Sequence, residues 1–205
     1  MRTDVLLLRR PETVARDAFA TSLRTATHEL GLVAPVIDLT APPAGNAPAP
    51  AVDAMLSWAP TDEDTLHAAA DMLARVGTIV GGYTVDALVH WDDAPGTRYA
   101  FTMVACSCRI PGITPAQFVE RYRGHAAVAR IHHPTIRRYE QWFVTATLEG
   151  SRPCEAIALL HFDSADDHAL RLYRDEQSRT IVDQDVARFL DRNRVLVFFT
   201  TERIA

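Results

Sequence analysis

The chain has 205 residues, 48% of them hydrophobic and 23% charged, a balance that suits a soluble globular protein of one large or two small domains. Its net charge of −5, with no basic patch, argues against a nucleic-acid partner. All 21 basic residues are arginine, which excludes Schiff-base chemistry on a lysine.

Asp4 to Arg9 reads as a buried strand. Its VLLL run is too short for a signal sequence or a membrane span. Pro11 and Thr13 open a helix to about Leu30, with the apolar stripe Ala15, Phe19, Leu23, Ala26 and Leu30 and with Gly31 ending it. Leu32 to Leu39 is a second strand, and Pro35 marks it as an edge. Thr40 to Ala51 is a Pro/Ala-rich connector. Val52 to Trp58 is a third strand. Thr61, in the box Thr-x-x-Asp64, starts a helix carrying Leu66, Ala69, Ala70, Leu73 and Val76. Gly81-Gly82 punctuates, and Tyr83 to Trp91 is a fourth strand.

Asp92 to Thr97 reads as a hinge. Arg98 to Arg109 is a strand holding Cys106 and Cys108. With Cys154 the count of three is odd, which fits free thiols in a reducing, cytoplasmic setting. Ile113 to Arg138 contains the best-defined helix: Thr114 and Gln117 make a capping box, Pro115 takes the first turn, and Phe118, Tyr122, His125 and Ala129 form the buried stripe. Gly124 weakens that helix and is expected to make room beside the His125 imidazole. Ile136 to Thr147 and Glu155 to Phe162 are strands. Ser164, boxed with Asp167, opens a helix to about Arg174. Val182 to Phe189 adds a helical turn or two, with Asp183 and Asp185 on a segment that could cover a pocket. Arg194 to Thr201 is the last strand.

The order β-α-β-β-α-β therefore occurs twice. At an offset of 99, Phe19, Leu23, Ala26 and Leu30 align with Phe118, Tyr122, His125 and Ala129. The expected class is α+β: two ferredoxin-like repeats, residues 1–92 and 98–205, joined as an intrachain pseudo-dimeric α/β barrel.

The motif R-x-P-G-I-T-P-x-x-F-x-x-x-Y-x-x-x-H at Arg109 to His125, followed by Arg137-Arg138-Tyr139, resembles the EthD family of dimeric α/β-barrel proteins. Phe162-Asp163-Ser164 and the D-x-x-x-F-L-D of Asp185 to Asp191 resemble that family's closing segment. The resemblance covers about residues 99–201, and the first half reads as a copy without the histidine. It implies a cofactor-free protein acting on phenolic or polyketide-type aromatics as a dehydratase, decarboxylase, cyclase or oxygenase. It carries over His125 and, more loosely, Tyr122, where the family often has Trp.

His125 is the candidate general base or acid, because burial favours the neutral imidazole; the competing reading is a core histidine. Tyr122 and Tyr139 could orient or protonate a phenolic substrate, or simply pack. Phe118, His161, His90 and Trp91 are candidate binding residues, with packing or strand-edge roles as alternatives. Arg109 could hold a substrate carboxylate or enolate, or pair with an acid. His132-His133-Pro134 reads as a solvated helix end, and no metal site is expected. No cofactor is expected either; a haem would need His125 or His161 as axial ligand. The expected function is a lyase, cyclase or isomerase working by acid–base chemistry on an apolar aromatic molecule. A non-catalytic small-molecule-binding protein and a cofactor-free monooxygenase are the alternatives. The chain could form a homodimer, with no membrane partner.

Overall fold

A computed structural model describes residues 1–41, 50–60 and 64–204. The described residues form eight strands and five α-helices in an α+β arrangement, and every strand pairing described below is antiparallel. The chain divides into two compact units. The first holds residues 1–87, 144–153 and 198–205; the second holds 88–143 and 154–197.

In the first unit, β1 (Arg2–Arg9), α1 (Arg16–Glu29), β2 (Val33–Thr40), β3 (Ala54–Ala59), α2 (Thr65–Leu73) and β4 (Thr78–Asp92) follow in turn. The sheet order β4-β1-β3-β2 is the split βαβ order expected of a ferredoxin-like unit. β8 (Leu196–Ile204) adds outside β2, from Ile37 opposite Ile204 to Thr40 opposite Thr200. The helices bury Phe19, Leu23, Leu66 and Leu73 against Leu6, Leu8, Leu56 and Trp58. Each such side chain contributes about 1.5–3 kcal/mol.

Two expectations fail in this unit. Pro35 does not mark an edge: β2 pairs on both sides, and the proline sits at a register shift between Val33 and Val36, where a missing N–H is tolerated. Gly81-Gly82 is not a break either, because β4 runs straight through it. These glycines allow close approach. A Cβ on Gly82 would lie 2.9 Å from Leu6 and 3.0 Å from the Leu148 Cβ, and one on Gly81 would strike the Tyr83 ring. The Pro/Ala-rich connector lies mostly outside the described residues, as does the Thr61 cap.

In the second unit, β5 (Phe101–Ser107), α3 (Pro115–His132), β6 (Arg138–Thr147), β7 (Ala156–Phe162), α4 (Ala165–Arg171) and α5 (Glu176–Val186) follow, and the sheet order is β6-β7-β5. The capping box on α3 forms: Gln117 N donates to Thr114 Oγ1 at 3.2 Å, and Thr114 N donates to Gln117 Oε1 at 2.9 Å. The buried face of α3 is Phe118, Tyr122, His125, Ala126 and Ala129. α5 is longer than the sequence suggests. It starts at an Asp175 cap, whose carboxylate accepts from Ser178 N at 2.7 Å.

Strand alternation sorts this sheet into two faces. The register aligns Met103 with Leu160, Ala105 with Ala158, and Tyr139 with Leu160, so these side chains share one face. Thr102 and His161 pair on the opposite face, with Glu140.

Candidate functional site

A cavity of about 180 Å³ lies within the second unit, on the face of the sheet bearing Met103, Ala105 and Ser107. Aliphatic and aromatic side chains of α5, the segment after it and β8 complete its wall, among them Val182, Val186, Phe189 and Val197. The polar groups on the wall are Ser107, Tyr122, His125, His133, Tyr139 and Tyr173, and none of the lining residues is an arginine, aspartate or glutamate.

His125 reaches this cavity from the third turn of α3. Its Nδ1 donates to Asp185 Oδ2 of α5 at 2.8 Å, which leaves Nε2 with a lone pair. Burial lowers its pKa below the usual 6.5, and Asp185 partly opposes that fall by hydrogen bond and charge. The imidazole is therefore neutral near pH 7 and fixed in the tautomer a base requires. Asp185 itself borders an outer groove with Gln117, Glu120, Arg121 and Arg188. A carboxylate there keeps part of its hydration while it orients the ring.

Tyr139 comes from β6 and Tyr122 from α3. Gln141, fully buried, organises both. Its Nε2 donates to the Tyr139 hydroxyl at 3.0 Å and to the Tyr122 carbonyl at 2.7 Å, and its Oε1 faces His90 Nε2 at 2.9 Å. Since the Tyr139 oxygen accepts from Gln141, its own proton is left to donate. Burial raises the pKa of both tyrosines, so both stay protonated donors. Ser107, fully buried, lies beside the Tyr122 phenol, and its hydroxyl partly opposes the rise in the Tyr122 pKa.

Three of the eight residues picked out in the sequence, His125, Tyr122 and Tyr139, line this cavity; the other five do not. Phe118 packs beneath Tyr122 and Phe189, at ring distances of 5.5 and 6.3 Å. Arg109 pairs with Glu155, which also accepts from the Arg109 N–H. His161 faces the other side of the sheet, held by Thr102 at 2.8 Å and Glu140 at 3.2 Å. His90 stacks on Tyr139 at 5.6 Å, and Trp91 donates to the Ile136 carbonyl at 3.2 Å. His90 and Trp91 thus support Tyr139 from behind.

His133 corrects the expectation of a solvated helix end. It is buried, its Nδ1 donates to the Leu172 carbonyl at 2.9 Å, and burial pulls its pKa to about 4. Gly124 does not make room for the imidazole: a Cβ there meets nothing within 4 Å. Gly124→Ala is therefore expected to stabilise the protein by about 1 kcal/mol. Gly82→Ala is expected to cost about 1–3 kcal/mol through the Leu148 clash. Urea denaturation of the two variants checks both signs.

The sequence did not reveal the Asp185–His125 pair, Gln141 as organiser, or Ser107 beside Tyr122. Asp185 lies 60 residues from His125, so no local spacing links them. The three cysteines are buried, and no cluster of metal-ligating side chains occurs among the described residues. A haem does not fit. Both His161 nitrogens are engaged off the cavity, and a porphyrin of four pyrrole rings exceeds the space beside His125. No helix among the described residues is long and apolar enough to cross a membrane.

No protein-family profile matches this chain, and no curated protein matches its sequence. Solved structures share the fold. An anthrone oxidase-like protein aligns over 99% of this chain and 92% of its own, with a TM-score of 0.63 and 12% identity. A variant chlorite dismutase from Candidatus Nitrospira defluvii aligns over 98% and 91%, with a TM-score of 0.58 and 9% identity. A protein from Lactobacillus acidophilus, provisionally described as a monooxygenase, aligns over 98% and 92%, with a TM-score of 0.52 and 8% identity. At these identities the likeness is one of fold.

Proposed function

We propose that this chain is a cofactor-independent, EthD-like enzyme in which His125 removes a proton from a carbon next to a carbonyl of a small apolar ring compound. The observation that carries this reading is the His125–Asp185 pair, with His125 among the residues that line an apolar cavity. Tyr139, and Tyr122 with it, would donate to the oxygen on which the enolate charge develops. Returning the proton to another carbon gives an isomerase, and expelling a leaving group gives a lyase or cyclase. The two units are read as diverged copies of one ferredoxin-like ancestor, the first with Ala26 where the second has His125.

The test uses 2-cyclohexenone in D2O, with proton exchange followed by NMR. Exchange should depend on the neutral imidazole. The rate is expected to be flat above about pH 6.5 and to fall as pH drops through the lowered His125 pKa. Asp185→Asn removes the influence that raises that pKa, so the acid limb should move to lower pH while the plateau drops. A profile unchanged by Asp185→Asn would remove the pair from the mechanism.

A second reading, cofactor-free oxygenation, is favoured by the monooxygenase and anthrone oxidase-like descriptions of fold relatives. There the same carbanion would add O2 and the peroxide would lose water, so that R2CH2 and O2 give R2C=O and H2O. Oxygen uptake with hydroquinone separates the two readings.

A further inference from the structure

We infer that the ligand of this cavity is an elongated cyclic ketone, with an unbranched alkyl tail that crosses the sheet and leaves the cavity beside Val197. The inference rests on the reading of the cavity as the active site and narrows the substrate of that site.

The sheet sets the long axis of the space. Its strands run in the order β6-β7-β5-β8. The register puts Tyr139, Leu160 and Met103 side by side on the first three, and all three line the cavity. Val195 and Val197 line it at the start of β8. Neighbouring strands lie about 4.8 Å apart, so the row from Tyr139 to Val197 spans roughly 14 Å. A volume of about 180 Å³ drawn out over that length is narrow. It suits a chain behind a ring and not a block of fused rings.

The two ends of the row differ. Tyr139 is 2% exposed, and His90, Trp91 and Gln141 close the space behind it. Tyr122 shares Gln141 with Tyr139, and the His125 ring lies 6.4 Å from the Tyr122 ring, so the groups assigned to proton transfer gather toward this closed end. Along the row Leu160 is 9% exposed, Met103 half-buried and Val197 43% exposed. The cavity therefore opens on the side of β5 and β8. A carbonyl that reaches Tyr139 leaves the rest of its molecule pointing out over Met103.

The wall decides what that outward part is. Leu160, Met103, Val195 and Val197 are all apolar, and no arginine, aspartate or glutamate lines the cavity. An ionised tail would lose hydration with no partner to replace it. A methylene chain gains with each carbon laid on this surface, and it covers Val197 where the strand now leaves it exposed.

Calorimetric titration of the full chain at pH 7 with cyclohexanone, 4-pentylcyclohexanone and 2-pentylcyclohexanone tests the inference. The 4-pentyl compound carries its tail in line with the carbonyl. It should bind on the order of thirtyfold more tightly than cyclohexanone, since each fully buried methylene contributes up to about fourfold. The 2-pentyl compound is equally apolar but bent at the carbonyl, and it should bind no more tightly than cyclohexanone. Val197→Asp, at an exposed position, should weaken 4-pentylcyclohexanone about tenfold, with near-ultraviolet circular dichroism confirming the native fold. Equal affinity for cyclohexanone and its 4-pentyl derivative overturns the inference, as does 2-pentylcyclohexanone matching the 4-pentyl compound. Failure of 4-pentylcyclohexanone to bind the folded wild type, or binding unchanged in the folded variant, overturns it as well. The two proposals fail separately. Tail-dependent binding without 2-cyclohexenone exchange removes the proton-transfer reading and leaves the ligand class. Exchange without any gain from the tail does the reverse.

Discussion

His125→Ala is expected to lower 2-cyclohexenone exchange by roughly 10²–10⁴-fold, the contribution of a positioned general base. The melting temperature should change little. Asp185, the partner left behind, borders the outer groove and can recover hydration there. The neutral imidazole contributes no buried charge whose loss would strain the core. Exchange and melting temperature measured on the same preparation separate a base from a packing residue. Wild-type exchange rates in the variant would sink the assignment. A collapse of the fold would make His125 a core residue after all.

Glu140→Gln is expected to give the largest loss of stability. Glu140 is buried on the sheet face opposite the cavity, where Oε1 accepts from Arg138 Nε at 2.7 Å and faces His161 Nε2 at 3.2 Å; Oε2 accepts from Trp142 Nε1 at 3.0 Å. Arg138 also holds Asp92 at 2.8 Å, and Asp92 accepts from the Tyr99 hydroxyl at 2.6 Å. Burial alone would raise the Glu140 pKa. The hydrogen bonds and charges of His161 and Arg138 overcome it and bring the pKa from an ordinary 4.5 to about 2. A carboxylate whose folded pKa is depressed stabilises the fold above its unfolded pKa. That contribution, about 3 kcal/mol, is present above pH 4.5 and is lost as pH falls toward 2. Removing the charge from one partner of a buried pair costs a similar amount. Urea denaturation at pH 7 should show Glu140→Gln less stable by about 3 kcal/mol. The gap from wild type should narrow between pH 4.5 and 2. A gap independent of pH would mean that shape, and not charge, is what Glu140 supplies.

The two variants probe opposite faces of one sheet, and that division was only half legible in the sequence. Alternation along β6 places Tyr139 and Gln141 on one side and Arg138 and Glu140 on the other, and it can be read from residue order alone. Which side faces a cavity cannot. His161 and Tyr139 look equally suited to a site in a sequence. Pairing Leu160, and not His161, with Tyr139 sends His161 to the far face. Arg109 reads from the sequence as an anion binder or the partner of an acid, and only the turn before β7, which brings Glu155 beside it, decides for the second.

The helices were the most legible elements. Caps at Thr114 and Ser164 act within four residues, so their chemistry is written locally: the Thr114 box forms in both directions, and Ser164 Oγ accepts from Asp167 N while donating to its carboxylate. Pro35 and Gly81-Gly82 misled because their local meaning, an edge or a turn, was overridden by neighbouring strands. A bulge absorbs the proline, and close packing against Tyr83, Leu6 and Leu148 requires the glycines.

By itself, the sequence determined the α+β class, the order of the elements and the helix that carries His125. Those depend on periodicity and on contacts a few residues long. Only the tertiary structure decided what His125 does there. His125, its partner Asp185, the Gln141 clamp on Tyr139 and the buried Ser107 come from four separate elements. Burial, the size of the cavity and the fixed tautomer follow from how those elements pack, which no single stretch of chain encodes.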